Sequence, residues 1–128
     1  LTELRRDGLA AERWNLLHPA DEPRVPYVQQ RLAAHAGPLV VATDYMKIVA
    51  DQIRPFVDGR RFTALGTDGF GRSDTRESLR TFFEVDRHFI LLAALKALAD
   101  DGRIARSQLQ VAIEKYGIHV DKVDPAAV

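Results

Sequence analysis

Most of this chain carries apolar residues at helical spacing, but two short runs break that period: Leu39 to Ala42 and Phe62 to Leu65. The first is continuously apolar and bounded by Pro38 and Asp44, the pattern of a strand buried on both faces in a parallel sheet. Between the two runs, Met46, Val49, Ala50 and Ile53 form an apolar stripe that Pro55 stops, with Thr43 or Asp44 placed to cap it. Asp58-Gly59 supplies a turn into Arg61 to Leu65. Strand, helix and strand within about 27 residues predict a βαβ unit with a right-handed crossover.

The flanks read as helix. Asp7 is a candidate cap for a helix through Leu17 with Leu9, Trp14 and Leu17 on one face, ended by His18-Pro19. Pro19, Pro23 and Pro26 make residues 19–26 an extended connector, and Pro26 then opens a helix to about His35, closed by Gly37-Pro38. After the second strand, Leu79, Phe82 and Phe83 belong to one helix. Asp86 caps a longer one through Ala99, with Phe89, Leu92, Ala93 and Leu95 to Leu98 facing inward and Gly102 as its stop. Leu109, Ala112 and Ile113 mark a last helix over Arg106 to Tyr116, ended by Gly117, and residues 119–128 are expected to be mostly extended. Two strands against five or six helices make an unbalanced α/β domain. A two-stranded parallel ribbon cannot cover so many apolar faces, so more sheet is expected from outside these residues.

The joint between the two halves is Leu65 to Glu84. Gly66, Gly69 and Gly71 lie within six residues after a strand, and Asp74 stands three residues before Glu77, a spacing that resembles a capping box. Gly66, Asp68, Gly69, Gly71 and Asp74 therefore read as a shape-determining loop with at least one positive φ. The same loop, followed by a helix amino terminus, is also the geometry that cradles phosphate, with Arg72 and Arg76 as candidate anion contacts. Asp68 and Asp74 oppose that reading, because a carboxylate at the cap takes the amides a phosphate needs and repels the anion.

Composition narrows the function. Eighteen Lys and Arg balance eighteen Asp and Glu, so nothing electrostatic favours nucleic acid or an anionic membrane. Cysteine is absent, and the longest purely apolar run, Phe89 to Leu95, is far short of the ~20 residues a spanning helix needs. The expectation is a cytoplasmic protein. The chain opens on Leu1, which reads as a fragment of a longer chain. His18, His35, His88 and His119 show no zinc-ligand spacing, and Ser73 stands in no nucleophile elbow. No catalytic, cofactor-binding or metal residue is expected. Trp14 and Tyr27, flanking the proline-rich connector, either anchor it on the domain or form a docking surface.

Four motifs in order carry a family resemblance: Glu12 to Pro19 (ERWNLLHP), Pro23 to Val28 (PRVPYV), Thr43 to Lys47 (TDYMK) and Thr67 to Arg76 (TDGFGRSDTR). Together they resemble the carboxy-terminal domain of homodimeric, thiamine-diphosphate-dependent pyruvate dehydrogenase components, and more weakly that of transketolases. The resemblance implies a three-layer α/β/α fold whose first strands lie upstream. It divides the chain into a helical lead-in, residues 1–38, and an α/β part, residues 39–128, of one domain. It also implies a subunit that decarboxylates pyruvate with thiamine diphosphate and Mg2+ bound by upstream domains, and that passes acetyl to lipoyl groups of a dihydrolipoyl acyltransferase partner. Thr67-Asp68-Gly69 looks like the start of the cofactor motif, but the one asparagine, Asn15, lies upstream of it. The alternative is a freestanding α/β interaction or small-anion-binding module built on the Gly66–Asp74 loop.

Overall fold

The computed structural model describes residues 1–57, 59–69 and 74–127. Helices α1 (Thr2–Leu17) and α2 (Tyr27–Leu32) precede strand β1 (Leu39–Ala42); α3 (Lys47–Asp51) and a 3-10 turn (Arg54–Phe56) lead to β2 (Phe62–Leu65). Helices α4 (Arg76–Phe82), α5 (Arg87–Asp100) and α6 (Ser107–Lys115) follow, with a final 3-10 turn at Pro125–Ala127. The two strands pair in parallel, Leu39 opposite Phe62 through Ala42 opposite Leu65. Among the described residues they are the whole sheet. The result is an incomplete α/β fold.

Alternation along the strands determines what lies beneath them. Leu39, Val41 and Phe62 pack on a cluster of Val28, Ile53, Phe56 and Val57, joined by Leu4 and Leu32 from the first two helices. Helices α3 and α5 each pack against both strands. The lead-in helices and the βαβ unit thus share one core. Pro55, which halts α3, also places Phe56 and Val57 in that core.

Helix α1 differs from its predicted form. It begins at Thr2, ahead of Asp7, and its inward residues are Leu4, Gly8 and Ala11, while Leu9 and Leu17 are exposed. Asp7 caps nothing in α1. Its carboxylate accepts the Tyr27 amide at 2.6 Å, at the start of α2. The reason is steric: a Cβ on Gly8 would stand 2.6 Å from the Phe56 ring, so the glycine lets α1 lie directly on that ring. Glycine to alanine in a helix normally stabilises by about 1 kcal/mol. Gly8→Ala is expected to do the reverse, lowering the urea midpoint of the chain, because a core ring must move to admit the methyl group.

Other ends are set by partners distant in sequence. Helix α2 stops at Leu32 and not at His35, and the Arg60 guanidinium donates to the carbonyls of Leu32 at 2.7 Å, Gly37 at 3.0 Å and His35. One side chain thereby gathers three carbonyls at and beyond the helix end, that of Leu32 also accepting from the His35 amide at 3.0 Å. Arg61 donates to Asp101 at 2.8 Å, which raises its pKa, and the Asp100 carboxyl is held below its usual range, first by the hydrogen bond from Lys96. Asp86 caps α5 as predicted, accepting the Phe89 amide at 3.0 Å, and Gly102 (φ +74°) and Gly117 (φ +62°) follow the ends of α5 and α6. The tail, predicted to be mostly extended, instead turns at Pro125–Ala127. Lys122 fixes it by donating to the Phe82 carbonyl at 2.9 Å and to Glu84 at 3.1 Å, with Glu84 held at φ 63°. Among the described residues no helix is long and apolar enough to cross a membrane.

Candidate functional site

Both strands run out at the same end of the sheet, and two loops meet there, residues 43–46 after β1 and 66–69 after β2. Open α/β sheets bind ligands outside the carboxyl ends of their strands, so this is the place to look. The loops are stitched to one another. Thr43 donates its amide to Leu65 at 3.0 Å, Thr67 donates its amide to the Tyr45 carbonyl at 2.8 Å, and the Thr67 hydroxyl donates to the Asp44 carbonyl at 2.8 Å.

Asp68 supplies what Thr43 and Asp44 were predicted to supply. Helix α3 begins at Lys47 with Met46 at its cap position, no local side chain caps it, and the Lys47 amide donates to Asp68 Oδ1 at 3.1 Å. Thr43 instead accepts from the Tyr45 amide at 3.1 Å, and Asp44 pairs with Arg80 at 3.1 Å. The cap of one helix is thus delivered by the loop that follows the next strand.

The glycines at this corner do different work. Gly66 is buried, and a Cβ there would lie 2.6 Å from the Lys47 nitrogen and 2.7 Å from the Tyr45 oxygen. Gly69 has φ +114°, and its Cβ would come within 2.1 Å of the Pro125 oxygen. One close approach and one positive φ account for both residues. Gly71 and Arg72 lie outside the described residues.

At α4 the predicted capping box is displaced by one residue. Thr75 is the N-cap and accepts from the Ser78 amide at 3.2 Å, while Asp74 accepts from the Thr75 amide at 2.7 Å. The frame moved because Thr75 combines a hydroxyl with extended backbone (φ −63°, ψ 154°), placing Ser78, not Glu77, at the third helical position. Thr75→Ala is therefore expected to cost about 1 kcal/mol in urea denaturation, and Asp74→Ala less than half of that.

A groove of about 880 Å³ opens beside these loops, lined by Thr43, Asp44, Arg76, Arg80, Asp86 and Arg87 among others. Its charges alternate in sign. Arg80 is already neutralised by Asp44, and Arg76 is exposed in the first turn of α4 with no ion-pair partner among the described residues. The amides of Lys47, Thr67, Thr75 and Ser78 are engaged within the chain, so these four are not open to an anion.

The cofactor implied by the resemblance does not fit the residues present. Asn15 spends its amide group on the connector, accepting from the Arg24 amide at 2.7 Å and donating to the Arg24 carbonyl at 3.0 Å. Asp68 is turned to Lys47, and among the described residues no group of three or more His, Asp or Glu is placed to hold a metal. An Asp and Asn pair for magnesium is therefore not assembled by these side chains. Trp14 completes the grip on the connector, with Arg24 over its ring at 4.1 Å and His18 stacked against it at 4.4 Å, whereas Tyr27 is exposed. His88 stacks on Tyr116 at 4.6 Å.

Sequence reasoning missed Arg60, the Asn15 clamp and the capping by Asp68. No local signal marks them, since each partner lies nine or more residues away.

Comparison with known proteins places this geometry in a family. The chain is 56% identical over 123 residues to the pyruvate dehydrogenase E1 component of Pseudomonas aeruginosa, covering 96% of this chain and 14% of the relative. It is 55% identical over 127 residues to that of Cupriavidus necator (99% and 14%) and 51% identical over 124 residues to that of Escherichia coli K12 (97% and 14%). The chain thus spans about one seventh of the length of these relatives. The sequence pattern of the transketolase-like TK C-terminal domain matches residues 3–86, two thirds of the chain, and the parallel β1–β2 pair with its crossover helix lies within that span. The chain belongs to the transketolase-like C-terminal domain family.

Proposed function

We propose that these residues are the structural, carboxy-terminal part of a pyruvate dehydrogenase E1-type subunit, with residues 1–38 as its helical lead-in and 39–128 as its α/β part. The observation that carries this reading is identity of 51–56% to E1 components over 96–99% of the chain. The subunit as a whole decarboxylates pyruvate with thiamine diphosphate and magnesium held by its other domains, works as a homodimer in the cytoplasm, and passes acetyl to the lipoyl groups of a dihydrolipoyl acyltransferase. Nothing in that chemistry is assigned to a side chain of this segment. Gly66, Asp68, Gly69 and Asp74 form a corner, and the close backbone contacts at Gly66 and Gly69, with Asp68 capping α3, support this role over anion binding.

The test uses the full-length subunit. Asp68→Ala should lower its thermal midpoint by removing a cap of about 1 kcal/mol, with the KM for thiamine diphosphate changed less than about twofold. Arg76→Ala should leave both unchanged. A tenfold or greater loss of cofactor or phosphate affinity in Arg76→Ala would return the loop to ligand binding, on the ~1.4 kcal/mol per decade scale.

A further inference from the structure

We infer that the cavity at the amino ends of the two strands, lined by Arg60, Arg61 and Arg103, binds the phosphate group of a small phosphorylated metabolite. It lies at the opposite end of the sheet from the corner after β1 and β2, and it stands apart from the E1-type reading. The strands start side by side, with Leu39 opposite Phe62, so Gly37 and residues 59–61, which precede them, come together. Helix α5 packs against both strands and brings its carboxyl end to the same place, where Arg61 meets Asp101. Past that end Gly102 turns the chain at φ +74°, and the Arg103 amide donates to the Leu98 carbonyl at 2.9 Å. Three guanidiniums from two distant stretches thereby line one cavity of about 500 Å³.

Charge selects the ligand. Among the described residues that line the cavity, three are arginine and one is a carboxylate, Asp101, which Arg61 already holds at 2.8 Å. Asp58 lies outside the described residues. The Arg60 guanidinium is turned to three backbone carbonyls, which fix its position without neutralising it. A cation held in place in this way loses little freedom when an anion arrives. Arg103 is exposed and has no ion-pair partner among the described residues. Arg106, by contrast, is paired with Asp100 at 3.4 Å, and Lys96 shares that carboxylate. The charges of Arg60 and Arg103 are therefore unmatched, and together they call for a dianion.

Donors narrow the class further. The Nε of Arg60, both terminal nitrogens of Arg61 and the whole Arg103 guanidinium donate to nothing among the described residues. A phosphate monoester at neutral pH gathers close to two negative charges and three strong acceptor oxygens on a single group, which suits forked donors converging on it. A monocarboxylate brings one charge, and a dicarboxylate spreads two along its length. A Cβ at Gly37 or Gly59 would meet nothing within 4 Å, so the mouth is open. The volume exceeds what a phosphate ion fills and falls within the roughly 300–1,000 Å³ of small-molecule sites, leaving room for an organic part. Among the described residues no large apolar side chain lines the cavity, so that part is small and hydrophilic.

The test is calorimetric titration of the full-length polypeptide with glycerol phosphate, thiamine diphosphate being present throughout so that any site for it is filled. Saturable binding is expected. Arg103→Ala should weaken it about tenfold, the scale of one lost hydrogen bond to a charged group. The thermal midpoint should not move, because the Arg103 side chain is exposed and unpaired among the described residues. Asp101→Asn should act in the opposite direction and tighten binding about threefold, since it removes the one described carboxylate of the cavity. Arg60 is left in place because it closes the end of α2. Lactate and succinate should each bind at least about tenfold more weakly than glycerol phosphate. No saturable binding, or binding indifferent to Arg103→Ala, would overturn the site. Lactate or succinate binding as tightly as glycerol phosphate would overturn the phosphate assignment, and inorganic phosphate binding more tightly than glycerol phosphate would overturn the organic ligand in favour of the free ion.

Discussion

Replacing Gly69 by alanine should destabilise the chain by about 3 kcal/mol, more than any other single methyl group added at the strand-end corner. Two costs combine. The backbone at φ +114° is strained for any L side chain, and the new Cβ would meet the Pro125 oxygen at 2.1 Å, a backbone atom that cannot turn away. Gly102→Ala is the control, because φ is also positive there (+74°) but a Cβ meets nothing within 4 Å. It should cost only the conformational part, about 1 kcal/mol. Urea denaturation of the two variants therefore isolates the contact between the corner and the tail. Deleting residues 125–128 in the Gly69→Ala background should recover most of the difference. Equal midpoints for the two glycine variants would show that Pro125 does not press on this loop.

Phe56→Ala should cost the chain about 3–4 kcal/mol. The ring is 4% exposed and sits where α1, α2 and the underside of both strands converge. Its removal leaves a cavity that none of these elements fills by a rotamer change alone. The coupling with Gly8 makes the measurement specific. In the native background Gly8→Ala lowers stability, since the methyl group would collide with the ring at 2.6 Å. In the Phe56→Ala background the collision is gone and the ordinary helix preference of alanine returns, so the same substitution should raise stability by about 0.5–1 kcal/mol. A double-mutant cycle with no change of sign would mean that α1 does not rest on Phe56.

The sequence by itself determined the local elements whose causes are local. The runs at Leu39 to Ala42 and Phe62 to Leu65 became the two strands, because a run of four mostly apolar residues between turn residues is too short for an amphipathic helix. Asp86 began α5, and Gly102 and Gly117 followed the ends of α5 and α6, as predicted, since a cap or a positive φ is decided within four residues. The four ordered motifs also pointed to the family that the comparisons show.

Only the tertiary structure decided which carboxylate serves which helix. Asp7 and Asp68 both satisfy an amide about twenty residues away in sequence, and Arg60 reaches back to the end of α2. A side chain's partner is chosen by proximity in space, and no spacing rule over three or four positions records that choice. The same holds for exposure. Met46 fits a helical stripe by its position in the sequence, yet α3 starts one residue later and shorter than that stripe, because Asp68 sets its amino terminus. With the start fixed there, Ala50 and Ile53 enter the core while Tyr45, Met46 and Ile48 are left in water, a division that depends on where the loop after the second strand comes to rest against the first.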